Sequence, residues 1–519
     1  MKKYLFILSN QLRWFIICAT VVLIYLSIII IYAENIPFGD DVAVLTSLYD
    51  IHHEPAWSLK LKTLFAFHNE HRIVVPRLIT ILLYYIQFKQ ISITWWILIG
   101  NISIFFILYL YYKTGFSNRK LFWFIPVLFF ILQPIHYELM YWGMAALQNI
   151  GVLVLSSLAF YYLFYSQNKP LSLSMAILAV FTSANGLFTF IIGTALLFYK
   201  KEWSTAVLWL VIGITSGFLY WTGFSDVINS DSPFEEPFHI INFLTTFVSL
   251  AGGIVYTQSF PILSLVLGSF ILFIIAFFTY QSLIVQPATN KKTYLFFLSC
   301  LGFILLTAAA VSFGRAPSNI LSGSRYKLYS TLLISLTYII SINWIEKRNY
   351  ISGPILMFAM LFWLASYTHF TSRFDIHSRL LFSQFFNWKF SGVLDINSPF
   401  AEKYYSDHWY EFYKSGQYTP PQSVLNKSQK IFAKLNKFIP LKASFLNTQQ
   451  GIFITPVRLP VNEYYAVNKS QNKLMIYPLN ADNFYHTLFF SSTVNYSASI
   501  NPAYWLEASE KSLPVVSSN

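Results

Sequence analysis

Residues 14–32 read WFIICATVVLIYLSIIIIY, nineteen positions without a charged side chain. A helix needs about 20 apolar residues to cross the ~30 Å hydrocarbon core of a bilayer. The start Met1-Lys2-Lys3 followed by an apolar run is also the pattern of a secretory leader. This run is too long for a leader's apolar core and lacks a convincing small-residue cleavage site, so it reads as a retained first span. The pattern then recurs at 91–112, 121–132, 149–165, 204–221, 263–280, 293–311, 330–344 and 351–366. Two shorter runs, 171–181 and 187–199, flank Ser183-Ala184-Asn185-Gly186. They read as a hairpin of short helices, because one long span would carry Lys200 and Lys201 to the wrong side.

Composition agrees. Of 519 residues 55% are hydrophobic, 19% aromatic and only 11% charged, against roughly a quarter charged in soluble domains. The net charge of +13 reflects cations in short loops between apolar runs and does not call for nucleic acid. Cys18 and Cys300 lie inside apolar runs, so they form neither a disulfide framework nor a metal pattern.

Two further apolar stretches, 73–88 with Pro76 and Arg77 and 240–256 with Gly252-Gly253, decide the topology. If both lie at the outer interface or dip in and return, the basic residues fall on one side. These are Lys2, Lys3, Arg13, Lys113, Arg119, Lys120, Lys169, Lys200, Lys201, Lys291, Lys292, Lys347 and Arg348. The expectation is an α-helical polytopic membrane protein of about 11 transmembrane helices, N-terminus inside, C-terminus outside. Residues 1–366 form the transmembrane domain, with 33–90 a first outer loop carrying interfacial helices. Residues 367–519 form a C-terminal extracytoplasmic α+β domain, helical near 378–390 and 401–414, with strands at 451–459, 473–479 and 487–494.

The outer segments carry the candidate chemistry. Pro37-Phe38-Gly39-Asp40-Asp41 places adjacent carboxylates just beyond the first span. Like charges at a low-dielectric boundary raise one pKa, which suits a general base; a cation site or a solvated acidic helix start are the alternatives. Phe67-His68-Asn69-Glu70-His71-Arg72 abuts an apolar stretch containing Arg77. In a helix, His68, His71 and Arg72 share one face, which equips it to grip a phosphate. The spacing fails the zinc pattern, and contact with lipid headgroups is the competing reading. The stretch 133–148, expected as an outer segment, offers His136, Glu138, Tyr141, Trp142 and Gln148; aromatics beside acceptors suit sugar recognition, or else form an interfacial belt. Arg315, Arg325, Tyr326 and Lys327 place cations in an outer loop that charge asymmetry would leave neutral, and an anionic lipid phosphate explains them. No Gly-rich phosphate loop and no cytoplasmic loop long enough for a nucleotide-binding domain occur, which argues against a nucleotide donor or ATP drive.

An acidic pair soon after the first span, a long first outer loop and about a dozen spans resemble the GT-C glycosyltransferases. His68–Arg72 with Pro76-Arg77, 133–148, 183–187 and Ser324-Arg325-Tyr326 look like segments of their bacterial and phage relatives, the serotype-converting O-antigen glucosyltransferases. The resemblance covers residues 1 to about 366. It implies transfer of a sugar, glucose in those relatives, from an undecaprenyl-phosphate donor to a lipid-linked O-antigen or similar surface glycan. The implied setting is the periplasmic face of a bacterial inner membrane, with a donor synthase and flippase upstream and membrane lipids as the other partners. It implies inversion, with no cofactor and no divalent metal. Asp40 is then the base and Asp41 its orienter, with Glu70 the rival base. His68, His71, Arg72 and Arg325 meet the donor phosphate. Glu138, Trp142, Gln148, Asn185 and Tyr326 line the acceptor or sugar. A flippase or exporter, which calls for charged residues within spans, and an O-antigen polymerase or ligase are the rival functions.

Overall fold

A computed structural model describes residues 2–517 apart from 70, 118–120, 224–238, 258, 286–290, 315–316, 345–348, 393–398, 435–438, 443–444, 449–450, 461–463, 471–472, 482–492 and 501–511. The chain is an α-helical polytopic membrane protein, with eight described helical segments long and apolar enough to cross a bilayer. These are Leu12–Tyr32, Ile93–Gly115, Leu121–Tyr141, Gly143–Tyr165, Trp203–Trp221, Ile262–Tyr280, Lys291–Gly314 and Gly353–Ser391. The expected runs at 171–181, 187–199 and 330–344 are helical but are not among the eight.

In chain order the helices are α1 (Lys2–Tyr32), α2 (Asp41–His53), α3 (Trp57–Leu64), α4 (Val74–Ile86), α5 (Ile93–Ile102), α6 (Ile104–Gly115), α7 (Ile125–Ile131), α8 (Tyr137–Tyr141), α9 (Gly143–Ala145), α10 (Gly151–Phe160), α11 (Lys169–Val180), α12 (Leu187–Tyr199) and α13 (Trp203–Trp221). They continue as α14 (Ile240–Ala251), α15 (Ile262–Tyr280), α16 (Lys291–Gly314), α17 (Pro317–Ser322), α18 (Lys327–Trp344), α19 (Asn349–Ser391), α20 (Pro399–Lys414) and α21 (Gln422–Lys434). At 1.5 Å per residue, α4 and α14 measure about 20 and 18 Å, short of the ~30 Å a span requires. Both stretches that were expected to stay at the interface are therefore short helices.

Two compact units divide the chain. The first comprises Met1–Ile31, Glu54–Thr80 and Trp95–Phe370. Its inner faces are closed by small residues where helices approach. A Cβ on Gly193 of α12 would stand 2.6 Å from the Trp209 ring of α13, and one on Gly213 of α13 2.7 Å from Phe190 Cβ. Where α14 meets α15, a Cβ on Gly252 would collide with Ser264 O and one on Gly268 with Val248 O.

This unit sorts its polar groups to two ends. At one end Lys169 Nζ lies 3.5 Å from Glu202 and donates to Thr205 Oγ1 at 2.7 Å, while Lys200 Nζ meets Glu202 at 2.5 Å. The start of α11 and the end of α12 thus lie together, so these two short helices form the expected hairpin. Lys113 stands over Tyr161, Lys291 over Tyr199 and Lys200 over Phe164. Thr293 bonds the Thr114 carbonyl, and Trp14 packs on Phe122. The opposite ends of the same helices meet elsewhere: Val75 N donates to Phe181 O (3.1 Å), Gln148 Nε2 to Ser183 Oγ (3.2 Å) and Glu138 N to Ser324 Oγ (2.9 Å).

The second unit comprises Tyr32–His53, Ile81–Thr94 and Thr371–Asn519. It draws two pieces of the first loop to the C-terminal region. Tyr418 Oη donates to Asn35 O (2.6 Å), Tyr84 Oη to Gln417 Oε1 (3.1 Å), and Tyr49 packs on His408 and Phe412 of α20. Seven antiparallel strands run in the order β1-β7-β4-β5-β6-β3-β2: β1 Ile439–Lys442, β2 Phe445–Thr448, β3 Gly451–Pro460, β4 Tyr464–Ser470, β5 Lys473–Ala481, β6 Thr493–Ile500 and β7 Ser512–Ser517. Strand β5 pairs along its length with β4 but, among the described residues, with β6 only at Asn480 and Ala481. Asn387 of α19 covers the open edge: its Oδ1 accepts from Ile476 N (2.7 Å) and its Nδ2 donates to Ile476 O (3.1 Å). A side-chain amide has the same donor–acceptor pair as a peptide group and so stands in for a neighbouring strand.

Candidate functional site

The acidic pair sits in the second unit, at the tight turn that opens α2. Gly39 takes φ +52°, a backbone state costly for side chains with a Cβ. The turn closes reciprocally: Asp41 N donates to Phe38 O (3.0 Å), and Phe38 N donates to Asp41 Oδ2 (3.1 Å). Asp41 is fully buried and begins α2, where a carboxylate also answers the helix dipole. Asp40 is half-buried, and its carbonyl accepts from Val44 N (3.2 Å). The ring of His377 on α19 stands edge-on to Phe38 at 4.6 Å.

The 67–72 segment corrects an expectation. It is not helical: His68 and His71 exchange both backbone bonds (2.7 and 2.9 Å) across a two-residue turn, and Asn69 takes φ +49°. Asn enters that left-handed region more readily than other non-glycine residues, which breaks the helical spacing. His68, His71 and Arg72 therefore do not share a helix face, and Glu70 lies outside the described residues. Arg72 donates through Nε to Tyr220 O (2.5 Å), through one terminal nitrogen to Phe65 O and through the other to Thr222 O, and it stacks on Phe67 at 4.1 Å. Among the described residues, three of its five N–H groups are thus committed and two are not. Buried Arg77 donates to Leu64 O (3.1 Å) and Ala66 O (2.5 Å) at the end of α3. Burial pulls its pKa down to about 10, and the neighbouring charge of Arg72 adds to this; burial lowers Arg72 as well. Two cations close enough to repel make a place where an anion is welcome.

The third group gathers residues far apart in sequence. Glu138 Oε2 accepts from Arg325 N (3.1 Å) while Ser324 Oγ receives Glu138 N, so α8 and the turn at 324–326 hold each other reciprocally. The Arg325 guanidinium lies 5.2 Å from the Trp142 ring and 5.1 Å from the Tyr326 ring, within reach of both π faces. The 133–148 stretch, expected as an outer segment, folds as short helical turns ending in a π turn at Ala146–Ile150, and Gln133, His136 and Gln148 are buried. Gln148 meets Ser183 at the tip of the α11–α12 hairpin, and Asn185 Nδ2 donates to Thr307 Oγ1 (3.3 Å). The Val75–Phe181 bond connects this group to the segment after Arg72.

Tyr220 and Ser324, which fix Arg72 and Glu138, were not read as site residues. They lie 148 and 186 positions from their partners, and nothing local marks them. Arg315 lies outside the described residues. Among the described residues, no group of three or more His, Cys, Asp or Glu is arranged to hold a metal ion. Comparison with protein-family models, with curated proteins and with solved structures finds no match for this chain.

Proposed function

We propose that this protein is a GT-C-type glycosyltransferase of a bacterial inner membrane. It moves a sugar, glucose by resemblance, from a polyprenyl-phosphate donor to a lipid-linked glycan on the periplasmic side. In this reading there are about 11 spans, with α4 and α14 at the outer interface, and the sheet-bearing C-terminal region is periplasmic. The observation that carries the reading is the sorting of the first unit. Lys113, Lys169, Lys200 and Lys291 gather at one end. Glu138, Trp142, Arg325 and Tyr326 join one another at the other, where Gln148 and Ser183 also meet.

The acceptor hydroxyl attacks the anomeric carbon from the face opposite the phosphate, and the carbon–oxygen bond to phosphate breaks. The hydroxyl proton goes to Asp40, and the polyprenyl phosphate leaves with the bonding pair. Asp41, tied to Phe38 N–H, is suited to fix the turn that aims Asp40; Glu70 remains the rival base. Arg325, His68, His71 and the two remaining N–H groups of Arg72 would meet the phosphate. Glu138, Trp142, Gln148, Asn185 and Tyr326 would face the sugar or acceptor.

The test is transfer of radiolabelled sugar from the polyprenyl-phosphate donor in membranes. Asp40→Asn should abolish transfer with the thermal midpoint unchanged, whereas Asp41→Ala should lower both. Full activity in Asp40→Asn and Asp41→Asn together would remove the pair from catalysis.

A further inference from the structure

The segment Leu121–Tyr141 is apolar and long enough to span, yet its helix breaks in the middle. Helix α7 ends at Ile131; Leu132 has ψ 71° and Gln133 is extended (φ −144°, ψ 157°) before Pro134. Irregular backbone at membrane depth persists only where protein surrounds it or water reaches it. Part of the break is met by protein: Leu132 O accepts from Trp363 Nε1 (2.8 Å) and Tyr367 Oη (3.4 Å), and Gln133 Nε2 donates to Phe130 O (2.6 Å).

The rest is not. Gln133 and His136 are fully buried, and no protein group among the described residues reaches Gln133 Oε1 or either ring nitrogen of His136. A neutral imidazole carries one donor and one acceptor, so His136 leaves both halves of its hydrogen-bonding capacity unmet by protein. Burying such groups dry is costly, and buried water is the usual remedy where two or more polar atoms converge. The Tyr25 ring lies 6.5 Å from His136, and Tyr25 Oη donates to Asn101 Oδ1 (3.0 Å). That phenol oxygen keeps acceptor capacity.

We infer that the break between α7 and α8 is a binding site for internal water, held by His136 and Gln133 and bordered by Tyr25. The site stands independently of the glycosyltransferase reading. X-ray hydroxyl-radical labelling of the full chain in detergent tests it, because radicals formed from bound water modify side chains that bulk solvent never reaches. His136 and Tyr25 should label roughly ten times faster than Trp209, an equally buried ring packed against Phe190. Labelling of all three at the same slow rate would overturn the inference. His136→Phe removes both nitrogens and should drop Tyr25 to the rate of Trp209, and undiminished Tyr25 labelling in that variant would also overturn it. If His136→Phe does not purify folded, Gln133→Leu is read in the same way.

Discussion

Arg72 gives its side chain to carbonyls at Phe65, Tyr220 and Thr222, so one guanidinium joins the turn after α3 to the end of α13. Lysine has the charge without the fork. Arg72→Lys should therefore lower the thermal midpoint by the equivalent of about 2–3 kcal/mol, the loss of charged hydrogen bonds that a single ammonium cannot replace. An unchanged midpoint in scanning fluorimetry would show that these contacts carry no stability. At this scale the sequence was readable in kind but not in conformation. The cations and histidines were evident, but the φ of +49° at Asn69 is a single-residue choice that cancels a helical face. The reciprocal Glu138–Ser324–Arg325 arrangement spans 186 positions, so no local pattern announces it.

Among elements, the crossing of α14 and α15 is limited by backbone thickness. Gly268→Ala puts a methyl onto Val248 O, which is main chain and cannot swing aside. Overpacking costs typically 1–3 kcal/mol, so a lower midpoint and poor detergent extraction are expected, with Gly217→Ala, which meets only the Leu187 side chain, as the tolerant control. The α11–α12 hairpin is tied at its open end by Glu202, whose pKa is lowered by its bond to Lys200 and by Lys169 nearby. A lowered carboxylate stabilises above its ordinary pKa of 4.5 and stops doing so as pH falls through the depressed value. Wild type should thus melt slightly above Glu202→Gln at pH 7, and the gap should shrink as the pH is taken progressively below 4.5. Apolar runs made the spans legible, but α19 runs for 43 residues where a span ending near 366 was expected. Its polar second half disguised it: Asp375 and Arg379 pair at 2.6 Å one turn apart, which lets charged residues continue a helix.

For the molecule as a whole, the two-ended sorting of the first unit gives a direct prediction for topology. In the proposed orientation, a membrane-impermeant maleimide applied to intact spheroplasts should label Ser322→Cys. It should label Lys201→Cys only after permeabilisation; both positions are exposed. Labelling of both from the same side would dismantle the orientation. Strands at 451–459 and 473–479 were legible from their β-formers and turn residues. Strand β4 was not, because Tyr464–Ser470 ends in Asn-Lys-Ser and is held in the sheet by pairing with β5 on one side and β7 on the other.

The make-up of the second unit has a consequence for synthesis. Residues 32–53 emerge roughly 320 positions before the C-terminal stretch that begins at 371 (371 − 53 = 318). At about 5–20 residues per second that is a wait of roughly 16–64 s. Throughout it α2, whose Val42, Val44, Leu45 and Leu48 are buried in the finished protein and whose Tyr49 packs on His408 and Phe412, lacks its partner α20. The turn that holds Asp40 and Asp41 leaves the ribosome well before the C-terminal stretch that completes its surroundings.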